Sequence, residues 1–198
     1  MPRETEKAGL HASAEFSACG PHRFRLDRWW SDEPRALVCM RNPSTAGADR
    51  SDPTICRLRA LLQGQPGIGG FTVVNADDRI ATDPRDLEAW LAGQDVTTLK
   101  ALRQANFAHI RALAAAAPVR IAAWGNLLAL GLHADRLIAA LSLDGLHPMH
   151  AFALTADGAP IHPLARGRSR VPLGLPLVEW RAGRPTTPTT TDTAGEGV

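Results

Sequence analysis

With 198 residues, 44% of them hydrophobic and 21% charged, the chain has the balance of one soluble globular domain and can bury a core without disulfide or metal staples. A formal net charge of only +2 gives no ground, by itself, for a polyanionic partner. Three cysteines, Cys19, Cys39 and Cys56, share no metal-like spacing, and an odd count argues against a disulfide scaffold. No apolar run approaches the ~20 residues that cross a bilayer, and the polar N-terminus lacks a signal core, so a cytoplasmic location and no membrane partner are expected.

Residues 1–13 are polar, and residues 182–198 are rich in Thr, Pro and Gly with almost no large apolar side chains. Both stretches are expected to be disordered, leaving a single α/β domain over 14–181. "EFSACGPHRFRLDRWW" places Cys-Gly-Pro-His between two strand-like pieces and predicts an N-terminal edge hairpin. "RALVCM" (35–40) is a continuous apolar run, which marks a strand covered on both faces, and makes Cys39 a small core residue. Asp52-Pro53 then predicts a capped helix through "TICRLRALLQ". A turn and β-branched strand follow at 67–75, and Asp83-Pro84 opens a second helix. The longest helical pattern starts near Thr97 or Thr98 and stops at Pro118. Strand 119–125, a helix from Leu127 through "LLALGLHADRLIAAL", and strand 150–155 complete the alternation. Strands alternating with helices predict a three-layer α/β/α sandwich on a mainly parallel four-stranded sheet.

Ligands of such sheets sit outside the carboxyl ends of the strands, so the residues there matter most. Strand 35–40 ends at Arg41-Asn42-Pro43-Ser44-Thr45. This is neither a phosphate-binding P-loop nor a nucleophile elbow, since the required glycines are missing. Its turn residues and Ser44 suit a water, a phosphate or a base edge as well as a plain turn. The next strand ends at Asn75, followed by Asp77 and Asp78. A strand-end amide offers a donor beside an acceptor, which matches the hydrogen-bonding edge of a nucleobase. Gly125 closes the third strand, and His162-Pro163 follows the fourth, with Arg166, Arg168 and Arg170 after it. An imidazole at that rim can stabilise developing negative charge, and arginines beside it can meet phosphate. Asp49 and Asp52 admit a carboxylate pair, although helix capping explains Asp52 simply. His147 and His150 have ligand-like spacing, yet no cysteine or acid completes a tetrahedral set, so no metal or other cofactor is expected.

The ordered motifs R-F-R-L-D-R-W, N-P-S-T-A, D-P-T-I-C-R, V-V-N, D-P-R-D-L, A-A-W-G and T-A-D-G-A-P-I-H-P-L, over about residues 14 to 180, resemble an uncharacterised bacterial domain-of-unknown-function family. More distantly, Asn42-Pro43, Val73-Val74-Asn75, Ala123-Trp124-Gly125 and His162-Pro163 are similar, in the same order, to motifs of the uracil-DNA glycosylase superfamily. That resemblance implies that Asn42 holds water, Asn75 reads a base and His162 assists the leaving base. Departures are that Asn42 is no carboxylate base, that "HPLARG" lacks the Ser-Pro of DNA-compressing loops, and that only Leu164 is available as a wedge. No aromatic residue follows the first motif closely to stack on a flipped base. The expected partner is therefore a nucleobase, nucleotide or nucleic acid, with N-glycosidic bond hydrolysis as the chemistry the resemblance implies. Two rivals stand beside it: a non-catalytic nucleotide-binding module, and a metal-dependent nucleotide-processing enzyme using Asp49, Asp52 or Asp77.

Overall fold

The computed structural model describes residues 9–125 and 132–184. β1 (His11–Phe16) and β2 (Arg23–Trp29) form the expected N-terminal hairpin. β1 begins at His11, whose ring stacks on Trp29 with centroids 5.1 Å apart. β3 (Arg35–Met40) is buried as a continuous run because its side chains alternate between two cores. Ala36, Val38 and Met40 face one core, while Leu37 and Cys39 face the other. Burial raises the Cys39 thiol well above its ordinary pKa, as suits a packing residue.

α1 (Pro53–Leu62) starts where Asp52 Oδ1 accepts the Ile55 N–H at 2.9 Å, and buries Ile55, Leu58, Leu61 and Leu62 in the first core. β4 (Gly70–Asn75) follows, and α2 (Pro84–Ala92) is capped by Asp83. α3 (Val96–Ala116) begins slightly earlier than its threonines suggest, because Asp95 is the cap and accepts the Thr98 N–H at 2.9 Å. β5 (Arg120–Ala122), α4 (Leu132–Ser142), β6 (Met149–Ala151) and β7 (Val178–Arg181) complete the chain. Ile110 and Ala114 of α3 and Leu137 and Leu141 of α4 fill the second core. The portion of the last helix expected at 127–131, Asn126, and the tail from 185 onward lie outside the described residues.

The protein is α/β, but the sheet differs from the expectation of four mainly parallel strands. It has seven strands in the order β1-β2-β4-β3-β5-β6-β7. β4, β3, β5 and β6 run parallel to their neighbours, whereas β1 with β2, β2 with β4, and β6 with β7 pair antiparallel. The hairpin is thus an integral part of the sheet. β7 was unexpected because "VEWR" shows neither an apolar run nor clean alternation, and its extended state comes from pairing with β6. β5 is shorter than 119–125, since the positive φ of Gly125 (67°) turns the chain away. β6 ends at Ala151 because residues 153–161 fold back on themselves, with the Ile161 N–H donating to the Ala153 carbonyl at 2.9 Å.

One carboxylate ties the antiparallel side together. Asp27 of β2 is fully buried and lies in register with Ser13 of β1 and Thr72 of β4. It accepts hydrogen bonds from Ser13 Oγ at 2.8 Å, Thr72 Oγ1 at 2.6 Å and Arg25 Nε at 2.9 Å. Asp27→Ala would leave these donors unmet and is expected to cost about 3 kcal/mol. The readout is a lower urea midpoint with an unchanged slope.

Candidate functional site

β3 has a parallel neighbour on each side. The chain leaves it through α1 to reach β4 on one side, then crosses by α2 and α3 to β5 on the other. The carboxyl ends of β3 and β5 therefore flank the topological switch point, where α/β sheets leave a crevice. A cavity of about 210 Å³ lies at the end of β3, lined among others by Arg23, Asn42, Ser44, Asp52, Thr54 and His162.

Each side chain is held from behind. Asn42 Nδ2 donates to the Ala81 carbonyl at 2.7 Å and to the Pro43 carbonyl at 3.1 Å. Facing two carbonyls fixes the amide orientation and leaves Oδ1, an acceptor, as the atom Asn42 can offer a ligand. The fold-back after β6 returns His162 to β5, where a Cβ on Gly125 would come within 3.3 Å of the His162 Cβ. Gly125 thus serves the site by being small as well as by its backbone angle. His162 Nδ1 accepts the Leu164 N–H at 3.1 Å, so the neutral ring carries its proton on Nε2 and is a donor there. Burial pulls the His162 pKa below its ordinary value, with the Asp52 carboxylate pulling weakly the other way. Asp52 both caps α1 and lines the cavity.

Arg23, which sequence reasoning passed over, is the most constrained member. It is 2% exposed, donates from Nη1 to the Ala46 carbonyl at 3.0 Å and from Nη2 to Asn75 Oδ1 at 3.2 Å, and its Nε has no partner. Desolvation lowers its pKa to about 10, opposed by Asp52 and assisted by the Arg28 charge. In the strand "RFRLDRW" Arg23, Asp27 and Arg28 are all buried, although its charge content reads like that of an exposed edge.

Of the residues expected at the site, Asn42, Ser44 and His162 meet at the cavity, and Gly125 packs under His162. Asn75 is buried and reaches the cavity only through Arg23. Pro43 is buried, with its carbonyl taken by Ala81 N–H and Asn42, while Thr45 is exposed and outside the lining. Arg166 and Arg168 are exposed on the short 3-10 turn Gly167–Ser169, beyond the cavity. Asp49 is exposed, and Asp77 is buried elsewhere, 3.6 Å from Arg41 Nε, 3.8 Å from Arg103 Nε and 3.7 Å from His133 Nε2. Among the described residues no group of three or more His, Cys, Asp or Glu side chains gathers to hold a metal ion, His147 and His150 included. A larger cavity of about 710 Å³ lies between α3 and α4, lined by Lys100, Arg103, Phe107, Arg111, His133 and Arg136 among others. It lies on the flank of the sheet, whereas the smaller cavity stands at the strand ends with a denser set of polar groups.

The sequence profile of a family described as "Protein of unknown function (DUF1643)" matches residues 23–164. The chain belongs to this family. All residues lining the cavity, from Arg23 to His162, fall inside the DUF1643 match, while β1 and β7 lie outside it. No curated protein and no solved structure matches the chain. Among the described residues, no helix is long and apolar enough to cross a membrane.

Two histidines set an acid limit. Burial, with the Arg103 and Arg41 charges beside it, pushes the His133 pKa from 6.5 down to about 4, and His162 shifts in the same direction. Below the ordinary value the unfolded chain takes up protons that the folded one does not, so stability present above about pH 6.5 drains away as pH falls toward 4. Denaturation midpoints measured across that window should fall with acidification, and His133→Gln should flatten the slope.

Proposed function

We propose that the protein binds a nucleobase or the base of a nucleotide in this cavity and hydrolyses an N-glycosidic bond there. What carries the reading is that Asn42, Ser44 and His162, far apart in the chain, line one polar cavity at the strand ends. A volume of about 210 Å³ suits a single heterocycle and lies below the roughly 300 Å³ where pockets for larger ligands begin. In the proposed reaction Asn42 Oδ1 accepts a hydrogen bond from the attacking water. The water oxygen bonds to the sugar carbon, the carbon–nitrogen bond breaks with its electron pair leaving on the base, and the proton shed by the water passes to solvent, from which the departed base anion takes one back. His162, neutral and with its proton on Nε2, donates to the oxygen on which that charge collects. Arg166 and Arg168, exposed beyond the cavity, are positioned in the chain to meet the phosphate of a nucleotide or nucleic acid. The parallel strands β4-β3-β5-β6, with helices packed in cores on both faces, are consistent with a three-layer, uracil-DNA-glycosylase-like arrangement.

A second reading, binding without chemistry, is favoured by one observation. Asn42 cannot accept a proton, and both hydrogens of its amide are engaged by carbonyls. The experiment that separates them is release of free base from labelled DNA and nucleosides containing uracil or hypoxanthine. Catalysis predicts measurable release that falls by about 10²–10³-fold in His162→Ala. Retained base binding with no release, in wild type and variant alike, would establish the binding module and sink the hydrolase.

A further inference from the structure

The acceptor and donor atoms around the cavity narrow the ligand further, on the premise that the cavity holds a heterocycle. Arg23 is a fully buried cation with no ion-pair hydrogen bond among the described residues. Only two neutral oxygens satisfy it, one on each terminal nitrogen; its Nε is closed off and unmet, so the second N–H of the terminal nitrogens is what this cavity-lining residue has to offer a ligand. A buried guanidinium so poorly matched is costly unless something else supplies an acceptor. Guanidinium has five N–H donors and no acceptor, so a ring oxygen suits it, and an exocyclic amine does not.

The acceptors stand close by. Asp52 spends Oδ1 on the Ile55 N–H, and Oδ2 has no protein partner among the described residues. Asn42 offers only Oδ1, for the reason given above. Arg23 and Asp52 line the same cavity of about 210 Å³, which places donor and acceptor in one neighbourhood.

We infer that Arg23 and Asp52 read a lactam edge, a ring carbonyl beside a ring N–H, and that Asn75 is a positioning residue that holds Arg23 rather than a reader of the base. Keto bases present such an edge. Their amino counterparts set a donor against the Arg23 donors and a bare ring nitrogen against the carboxylate. The role implied for Asn75 by resemblance thus passes to a residue one layer further into the cavity.

Isosteric pairs test this in the unaltered protein. Hypoxanthine against adenine, and uracil against cytosine, are titrated while backbone amide shifts of residues around the cavity are followed by NMR. The keto member of each pair is expected to bind at least about tenfold more tightly. Arg23→Lys keeps the charge but loses the planar fork, and should bring the ratio close to one. Asn75→Ala should weaken keto-base binding, while Asn75→Asp, which still accepts from Arg23, should restore it. Direct reading of the base by the Asn75 amide predicts no such rescue, and that result would overturn its positioning role. Equal binding of keto and amino bases by the wild type would overturn the lactam inference and leave the base site standing. Failure of all four bases to bind would overturn both.

Discussion

Two buried guanidinium groups on β2 pin the loop between β3 and α1 to the sheet through that loop's own carbonyls. Arg23 holds the carbonyl of Ala46, and Arg28 holds those of Gly47 and Arg50 together with Ser51 Oγ. A loop of small and polar residues has little apolar surface with which to dock itself. Charge-assisted hydrogen bonds to backbone oxygens substitute for that missing surface and fix where Asn42, Ser44 and Asp52 stand. On the far side, the Asn42 amide and the Ala81 N–H close the same loop onto the segment after β4. The cavity therefore has walls set by hydrogen bonds rather than by side-chain packing.

That construction gives the site its electrostatic character. A desolvated cation, a capping carboxylate and a neutral imidazole share one small space, and each modulates its neighbours. A second guanidinium, that of Arg41, lines the same space and lies 3.6 Å from the Asp77 carboxylate. Beyond it, the chain from Gly158 to Val178 contains no acidic residue and carries three exposed arginines.

Much of this was visible in the residues. The β3 boundaries are those of the apolar run, and both Asp-Pro pairs announce the helices they cap. The convergence of Asn42, Ser44 and His162 followed from the rule that parallel strands present their carboxyl ends on one rim. Arg23 was hidden for a physical reason. Its burial depends on carbonyls of a loop more than twenty residues away, and no local pattern marks such a partner. β7 was hidden likewise, since its pairing with β6 comes from across the sheet, and Trp180 is held by partners distant in sequence, the Trp124 ring 5.5 Å away and the Gly158 carbonyl that its Nε1 donates to at 2.9 Å. Asn75 was placed correctly at a strand end, yet its side chain turns toward a guanidinium that sequence spacing could not supply.

The outermost strands have a consequence for the assembly state of the chain. β7 contributes only four residues, joined to the body through a Pro- and Gly-containing segment anchored where Arg57 holds the Val171 carbonyl and Gln65 holds that of Leu175. It nonetheless occupies the open row of amides and carbonyls along β6. A cut between Val171 and Val178 that released this strand would bare the β6 edge, on which an extended peptide or a second copy's terminus could zip by backbone pairing alone.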